Sequence, residues 1–226
     1  VIFQLCDVSK GDHVEALADA AMKRFGAVHL VFNNAGVGAG GLVWENSRAD
    51  WEWVLGVNLW GVIHGVRVFT PLMLECAKND PTYEGHIVNT ASMAGLLNPP
   101  TMGIYNVSKH AVVSLSESLY HDLSLVEAPI GASVLCPYFV QTGISQSHKH
   151  RPDELKSGDG PTISQKVSQA VLEKAMCSAA WKILSQVVTP AILMKPHRMC
   201  VKNFKLGLKD KPSESDHTRR AFCDAT

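Results

Sequence analysis

The residues best suited to acid–base chemistry in this chain are Tyr105 and Lys109, which stand four positions apart. On a helix that spacing puts both side chains on one face, one turn from each other. An ammonium close to a phenol favours the phenolate, so it lowers the phenol pKa from its usual value of about 10. A phenol tuned in this way can exchange a proton with a substrate, and the pair predicts a general acid–base site.

Two more polar residues strengthen this interpretation, because Tyr-x-x-x-Lys alone occurs by chance in about one chain in a few of this length. Its ordinary interpretation is a half-buried aromatic beside a solvated lysine. Ser92 stands thirteen residues before Tyr105, at the end of an apolar strand-like run, where its hydroxyl can face the same cleft. Asn58 is polar within an apolar helical pattern. A buried amide needs partners, which can be a backbone carbonyl or a bound water.

Apolar periodicity predicts alternating strands and helices around these residues. Strands are predicted at residues 1–8, 28–32, 86–92, 130–136 and 191–194, and helices at 14–25, 50–76, 105–123 and 164–188. Gly26 is placed to end the first helix, and Pro71 is expected to kink or interrupt the second. Strand, helix, strand in this order implies parallel pairing with right-handed crossovers, in a sheet covered on both faces.

Length and composition are those of an ordinary one-domain protein of 226 residues. The 21 basic and 21 acidic side chains cancel, so charge favours neither nucleic acid nor an anionic membrane. No unbroken apolar run approaches the ~18 residues of a membrane span, since residues 54–69 contain Asn58, His64 and Arg67. Six cysteines without Cys-x-x-Cys spacing indicate free thiols in a reducing cytoplasm, and no disulfide framework or metal site.

In this order, these residues resemble the short-chain dehydrogenase/reductase family. The likeness covers roughly residues 1–142, and it fades beyond residue 196. It rests on Ser92, Tyr105, Lys109, Asn58, Asn33-Asn34-Ala35-Gly36 and Pro137-Tyr138-Phe139-Val140-Gln141-Thr142. It implies an α/β, Rossmann-like doubly wound parallel sheet and an NAD- or NADP-dependent oxidoreductase that interconverts an alcohol with a ketone or aldehyde.

The resemblance also implies a role for each residue. Tyr105 would exchange the proton with the substrate oxygen, Lys109 would lower the phenol pKa, and Ser92 would hydrogen-bond the substrate oxygen. Asn58 would lie in a locally disrupted helix and hold a water that relays protons from the lysine. The implied cofactor-binding residues are Asp7, Val8, Asn33, Asn34, Ala35, Gly36, Tyr105, Lys109, Pro137, Val140 and Thr142. Asn33 would also tie neighbouring strands together.

The chain departs from the family at Tyr138, where most members have a glycine, and this larger side chain can crowd the pocket. Residues 143–163 form a predicted substrate loop. Within it, residues 148–151 could attract an anionic substrate, although such a basic run is more often a solvated face. The hydrophobic residues Met93, Leu96, Leu97, Tyr138 and Phe139 indicate a largely apolar pocket.

The glycine-rich pyrophosphate motif of the family, Thr-Gly-x-x-x-Gly-x-Gly, does not occur in this sequence. Residues 1–8 align with the third strand of the family, so the first two strands are expected to be missing. We therefore expect a fragment of a longer protein, inactive alone, in which strand 28–32 has an open edge. Residues 1–196 would be a partial catalytic domain, and residues 197–226 a partly disordered tail, most clearly at 210–216.

Two other functions stay open at this point. Nucleotide-sugar epimerases and dehydratases share Tyr-x-x-x-Lys, although they usually have a long C-terminal substrate domain. A catalytically silent dinucleotide-binding or interaction protein is the other alternative. In the family, the helices corresponding to residues 50–76 and 104–126 pair in dimers and tetramers, so a homodimer or homotetramer acting on a small molecule is expected, without nucleic acid or membrane.

Overall fold

A five-stranded sheet with the strand order β1-β2-β3-β4-β5 forms the centre of the fold. The computed structural model describes residues 1–140, 142–156, 160–177, 190–195 and 198–203, and side chains as far as Lys174. The strands are β1 (Leu30–Asn33), β2 (Gly85–Thr90), β3 (Ile130–Leu135), β4 (Pro190–Lys195) and β5 (Arg198–Asn203). β1, β2 and β3 are parallel, with Leu30 opposite His86 and Gly85 opposite Ile130.

The predicted strand at 191–194 is β4, but it is not the last strand and it is not parallel. It pairs antiparallel with β3, and β5 follows it, also antiparallel. The short connection between β4 and β5 explains why these two strands are antiparallel to each other, since a parallel crossover needs about a dozen residues or more. The parallel order of β1 to β3, with helices between them, confirms the predicted Rossmann-like α/β fold.

The predicted strand at residues 1–8 is wrong. Residues 1–7 have no regular secondary structure, and Val1, Phe3 and Leu5 are almost fully exposed. A strand needs a neighbour for its backbone N–H and C=O groups, and none of the described strands pairs with this segment. β1 lies at the edge of the sheet, with Leu30 and Phe32 more than half exposed, so the predicted open apolar edge is confirmed.

Helix α1 (Gly11–Phe25) ends as the sequence predicts. Gly26 has a φ of 78°, and its N–H donates to the carbonyl of Met22. A side chain adopts this left-handed conformation only at a cost, which is why glycine is favoured at this position. Val14 and Ala18 on the buried face of α1 join a hydrophobic core with Phe69, Ile87 and other residues beneath the sheet.

The second predicted helix is divided at Asn58, and not at Pro71. Helix α2 (Arg48–Leu55) runs through a π turn at Gly56–Trp60 into α3 (Gly61–Asn79), and Pro71 lies within α3. Packing of buried residues such as Phe69 and Met73 against the core offsets the backbone hydrogen bond that proline cannot make. The predicted interruption at Pro71 does not occur, and the alternative, a kink there, stays a prediction.

The helical stretch Arg48–Asn79 is long and apolar enough, by length and composition, to span a membrane. The most apolar 18 consecutive residues within it have a mean hydropathy of 1.2. A stretch of this length and hydropathy was not predicted from the sequence. The core helix of a soluble protein passes the same test, and this stretch contacts α1, β1 and β2. The absence of a membrane partner therefore stays a prediction.

The remaining helices surround the end of the sheet at which the polar residues gather. They are α4 (Ala94–Leu97), α5 (Gly103–Leu125) and α6 (Ile163–Cys177), with 3₁₀ turns at Gly143–His150 and Asp153–Leu155. The prediction for α6 extended to residue 188, and residues 178–189 lie outside the described part. The predicted disorder of the tail at 210–216 also falls outside it.

Candidate active site

A cleft of about 690 Å³ lies at the carboxyl ends of β1, β2 and β3. Parallel α/β sheets place ligands at this edge, because the connections that follow the strands converge there. Ser92, Tyr105 and Lys109 all line the cleft, as the sequence predicts. The walls also include the turn after β3 and the segment that leads into α6.

Tyr105 and Lys109 lie one turn apart near the start of α5, and they are 8% and 3% exposed. The Lys109 Nζ lies 5.7 Å from the centroid of the Tyr105 ring, and it donates to the Thr90 carbonyl at 2.8 Å. Thr90 is the last residue of β2, so this hydrogen bond fixes the ammonium at the edge of the sheet. The predicted juxtaposition of phenol and ammonium is therefore present.

Ser92 follows β2 by two residues and is held by the backbone on both sides. Its Oγ accepts from the Ala94 N–H at 3.1 Å and donates to the Pro137 carbonyl at 3.4 Å. A side-chain hydrogen bond also joins Ser92 to Tyr105. Both side chains line the cleft, so the hydroxyl and the phenol lie together there.

The pKa of Tyr105 moves in the direction opposite to the sequence expectation. Burial raises the pKa of this phenol, and the hydrogen bond with Ser92 only partly opposes the shift. Burial also lowers the pKa of Lys109 from 10.5 to about 8, partly offset by attraction to Cys136. Removal from water disfavours the charged form of both groups, so the phenol pKa lies above its usual value although the ammonium is close by.

Asn58 is fully buried in the π turn, and other parts of the protein satisfy its amide. Its Oδ1 accepts from the Val37 N–H at 2.8 Å, and its Nδ2 donates to the Val37 carbonyl at 2.9 Å and to the Ser108 Oγ at 3.1 Å. Of the two partners considered from the sequence, the side chain therefore takes the backbone carbonyl. Asn58 lies behind the cleft wall, where a Cβ on Gly36 would be 3.5 Å from both its Oδ1 and the Lys109 Nζ.

The motif at residues 33–36 lies along the edge of the sheet. Asn33 Nδ2 donates to Asn89 Oδ1 at 2.8 Å, which confirms that Asn33 ties β1 to β2. Asn34 Oδ1 accepts from the Thr90 hydroxyl at 3.0 Å. These two bonds hold the ends of β1 and β2 together beside the cleft.

The predicted cofactor-binding residues fall into three groups. Eight of them line the cleft: Asn34, Ala35, Gly36, Tyr105, Lys109, Pro137, Val140 and Thr142. Val8 and Asn33 instead line an adjacent cavity of about 340 Å³, which shares Asn34 and Ala35 with the cleft. Asp7 lines neither cavity, and its carboxylate accepts hydrogen bonds from Ser9 at the turn before α1.

The residues present fit the nicotinamide and ribose end of a dinucleotide. Lys109 and Tyr105 provide two hydrogen-bonding groups beside Gly36, where the absence of a Cβ lets a ligand approach the backbone. The adjacent cavity shares Asn34 and Ala35 with the cleft, and its other lining residues are mostly apolar. The pyrophosphate motif of the family is absent from this sequence.

A buried polar cluster beside the cleft was missed at the sequence level. Asp50 of α2 pairs with Arg151 and accepts a hydrogen bond from Gln165 of α6. The only local sign is a capping box, in which Ser47 and Asp50 bond to each other at the start of α2. Of the basic run at 148–151, His150 lines the cleft, whereas Arg151 is engaged with Asp50.

Cysteine and potential metal ligands are spread through the described part of the chain. Cys6, Cys76 and Cys136 are free thiols, and the other three cysteines lie beyond the described side chains. Burial raises the pKa of Cys136 to about 11, so this thiol is protonated at neutral pH. Within the described residues, no group of three or more His, Cys, Asp or Glu is placed to hold a metal. A cytoplasmic location stays a prediction.

Comparison with known proteins agrees with this geometry. The sequence model of the short chain dehydrogenase family matches residues 1–153. The CLA biosynthesis dehydrogenase/reductase of Lactiplantibacillus plantarum is 34% identical over 161 residues, which are 71% of this chain and 54% of that protein. The oxidoreductase SadH of Mycobacterium tuberculosis is 33% identical over 141 residues, which are 62% and 49%.

A solved structure is more similar still. The crystal structure of a short chain dehydrogenase/reductase from Burkholderia phymatum in complex with NAD shows 57% identity and a TM-score of 0.73, over 77% of this chain and 60% of that one. This chain spans about half the length of the curated relatives that it matches. With its sheet, its cleft and the match over residues 1–153, the chain belongs to the short chain dehydrogenase family.

Proposed function

We propose that this protein is an NAD- or NADP-dependent oxidoreductase that interconverts an alcohol with a ketone or aldehyde. The observation that carries the proposal is the meeting of Ser92, Tyr105 and Lys109 in one cleft, with the Lys109 Nζ 5.7 Å from the Tyr105 ring centroid. Family membership and the NAD complex of the Burkholderia phymatum relative support the choice of cofactor.

Tyr105 acts as the proton donor when the carbonyl compound is reduced. The nicotinamide supplies or accepts the hydride when it is bound. Because burial raises its pKa, the phenol holds its proton at neutral pH and can deliver it to the substrate oxygen. In the direction of oxidation, the same oxygen takes the proton back.

Ser92 and Lys109 assist this transfer in different ways. The Ser92 hydroxyl hydrogen-bonds the substrate oxygen and stabilises the negative charge that develops there. The Lys109 ammonium stabilises the phenolate that Tyr105 becomes, and it holds the ribose hydroxyls of the dinucleotide. Its hydrogen bond to the Thr90 carbonyl holds the ammonium at the end of β2, beside Tyr105.

Asn58 acts by positioning the cleft wall through its paired hydrogen bonds to Val37. The water relay implied by the family would have to use the backbone of the π turn at Gly56–Trp60, because the amide itself is engaged.

The test of the proposed function compares Tyr105→Phe with Tyr120→Phe. Both tyrosines lie on α5, but Tyr120 lies outside the cleft, so it controls for the loss of a hydroxyl. With a panel of alcohols and ketones, Tyr105→Phe in the complete protein should lose nearly all turnover while its calorimetric affinity for the dinucleotide stays largely intact. Tyr120→Phe should retain both. Turnover retained by Tyr105→Phe would refute the proposal.

The choice between the two dinucleotides can be measured directly. A ligand that binds only the native state raises the temperature midpoint of unfolding. Thermal unfolding is therefore measured for the protein alone, with NAD(H) and with NADP(H). A shift with one of them identifies the cofactor. A dinucleotide that binds while no alcohol or ketone is turned over would favour a catalytically silent protein.

We also propose self-association through α2, α3 and α5. Trp60 in the π turn and Val107 on α5 are apolar side chains that are half exposed, 52% and 50%. Covering them in a homodimer or homotetramer would remove this apolar surface from water. Sedimentation equilibrium should show a dimer or tetramer, and Val107→Lys should shift it towards the monomer.

A further inference from the structure

Most of the cleft lining around Ser92 and Tyr105 is apolar. This apolar wall is built from four segments: the connection after β2, the start of α5, the turn after β3 and the segment that leads through α6. Representative side chains are Met93, Leu97, Met102, Phe139 and Leu172. Leu97 is 65% exposed, so a ligand in the cleft would cover apolar surface that water now contacts.

The same wall offers few partners to a charged group. Among the described residues, the side chains that line the cleft include no Asp, Glu or Arg, and the basic ones are Lys109 and His150. Lys109 belongs to the catalytic group, and His150 lies exposed at the mouth. An anionic substrate would therefore meet only an exposed histidine.

Two hydroxyls of the wall, those of Ser147 and Thr142, form hydrogen bonds with the backbone. Ser147 accepts from the Gly38 N–H at 3.0 Å and donates to the Ile144 carbonyl at 2.5 Å. Thr142 accepts from the Ile144 N–H at 3.4 Å. A polyol placed here would leave most of its hydroxyls facing carbon, without the hydrogen bonds that water gives them.

We propose that the substrate is an uncharged carbonyl compound or secondary alcohol with an extended apolar chain on the reacting carbon. The carbonyl part of this proposal rests on the proposed function, whereas the apolar ligand class rests on the cleft wall alone. Each methylene that the wall covers should strengthen binding about fourfold. A carboxylate or a set of hydroxyls at the same place should weaken it, because neither is paired.

The experiment uses the longer protein of which this chain is expected to be a part, with unbranched methyl ketones of four to nine carbons, reduced with NADH and with NADPH. The value of kcat/KM should rise about fourfold per methylene until the apolar wall is covered. The nine-carbon ketone that ends in a carboxylate should be reduced at least about tenfold less efficiently than its neutral counterpart. Xylitol, tried in the direction of oxidation, should be a poor substrate.

Leu97→Lys tests whether this wall sets the preference. It places an ammonium at an exposed position of the cleft, so it should raise the carboxylate-to-neutral ratio of kcat/KM about tenfold. Leu125→Lys is the matched control, because Leu125 is 82% exposed at the end of α5 and outside the cleft. Its ratio should equal that of the unmodified protein. An unchanged ratio in Leu97→Lys would contradict the proposed wall.

Calorimetric dissociation constants for the same ketones, with the dinucleotide present, separate the two proposals. Turnover that does not vary with chain length, or that is highest for the carboxylate or for xylitol, would overturn the substrate class and leave the proposed function standing. Affinity that rises with chain length without turnover would support the ligand class and overturn the proposed function. Neither binding nor turnover of any ketone would overturn both.

Discussion

The Arg151 guanidinium lies against the Asp50 carboxylate, with Nη1 2.5 Å from Oδ1, and the pair joins the segment after β3 to helix α2. Arg151 also lies over the ring of Trp53, 5.2 Å from its centroid. Gln165 of α6 donates to the other carboxylate oxygen at 3.2 Å. These contacts, here called the Asp50–Arg151 clasp, fix the segment that carries Ile144 and Ser147 into the cleft wall.

Breaking the Asp50–Arg151 clasp should destabilise the protein. The side chains are only 7% and 14% exposed, so either Asp50→Asn or Arg151→Met leaves a buried group without its partner and should cost about 3 to 5 kcal/mol. The double variant should recover part of this loss. Urea unfolding measures the free energy of unfolding of each variant. KM should also rise in the single variants, because the segment that carries Ile144 and Ser147 is held less firmly in the cleft wall.

The exposed pair Arg48–Glu52 on the same helix gives the matched control for the clasp. Arg48 is 92% exposed, so Arg48→Met should change the free energy of unfolding by less than about 1 kcal/mol. A loss in Arg151→Met no larger than that in Arg48→Met would show that the clasp does not stabilise the fold.

The clasp should also make stability depend on pH in the acid range. Burial alone would raise the pKa of Asp50, but hydrogen bonds from Arg151 and Ser47 outweigh it and lower the pKa below 3.8. The stabilisation is therefore complete above pH 3.8 and is lost as pH falls through the lower, folded-state pKa. The difference in unfolding free energy between the unmodified protein and Asp50→Asn should be constant near neutrality and shrink in acid. A difference that does not shrink would contradict this assignment.

Lys109 should make stability depend on pH in the alkaline range. Here burial disfavours the charged form, whereas in the Asp50–Arg151 clasp the partners favour it. The pKa of Lys109 is about 8 in the folded protein and 10.5 as the ordinary value, so between these values the unfolded chain binds a proton that the folded chain has lost. Stability therefore rises with pH across that window. Measured by urea unfolding, the unmodified protein should gain stability relative to Lys109→Met from pH 8 to 10.5. A flat difference would mean that burial does not lower this pKa.

Removing the Ser92 hydroxyl should slow the chemical step. Ser92→Ala deletes the group proposed to stabilise charge on the substrate oxygen, and kcat should fall about 10²- to 10³-fold. Ser118→Ala is the control, because Ser118 is exposed on α5 and outside the cleft. Steady-state kinetics with the best ketone of the series compare the two. Equal rates in both variants would exclude this role for Ser92.

Local sequence patterns predicted that Ser92, Tyr105 and Lys109 would lie together in the site. The four-residue spacing of Tyr105 and Lys109 fixes their relation on one helix, and Ser92 follows a strand that apolar residues identify. The direction of the Tyr105 pKa shift was not predictable in this way, because it depends on how completely the folded chain removes the phenol from water.

Features that depend on distant residues were the ones missed. Asp50 and Arg151 are 101 residues apart in sequence, and no local pattern announces their contact. The continuation of α3 through Pro71 depends on packing against other elements, whereas the local disruption around Asn58 was implied only by the family resemblance. The strand predicted at residues 1–8 had the right residues, but a strand also needs a neighbour.

Replacing Asn58 should lower the free energy of unfolding, because three hydrogen bonds depend on its amide. Asn58→Ala would leave the N–H and the carbonyl of Val37, in a partly buried site, without their side-chain partner, and would remove a donor to Ser108. Each unsatisfied buried group costs about 1 to 3 kcal/mol, so the loss should be about 2 to 4 kcal/mol. Asn79→Ala is the control, because Asn79 is exposed and bonds only within its own helix turn. If urea unfolding gave the same midpoint for both variants, the Val37 pairing would not hold the wall behind Gly36.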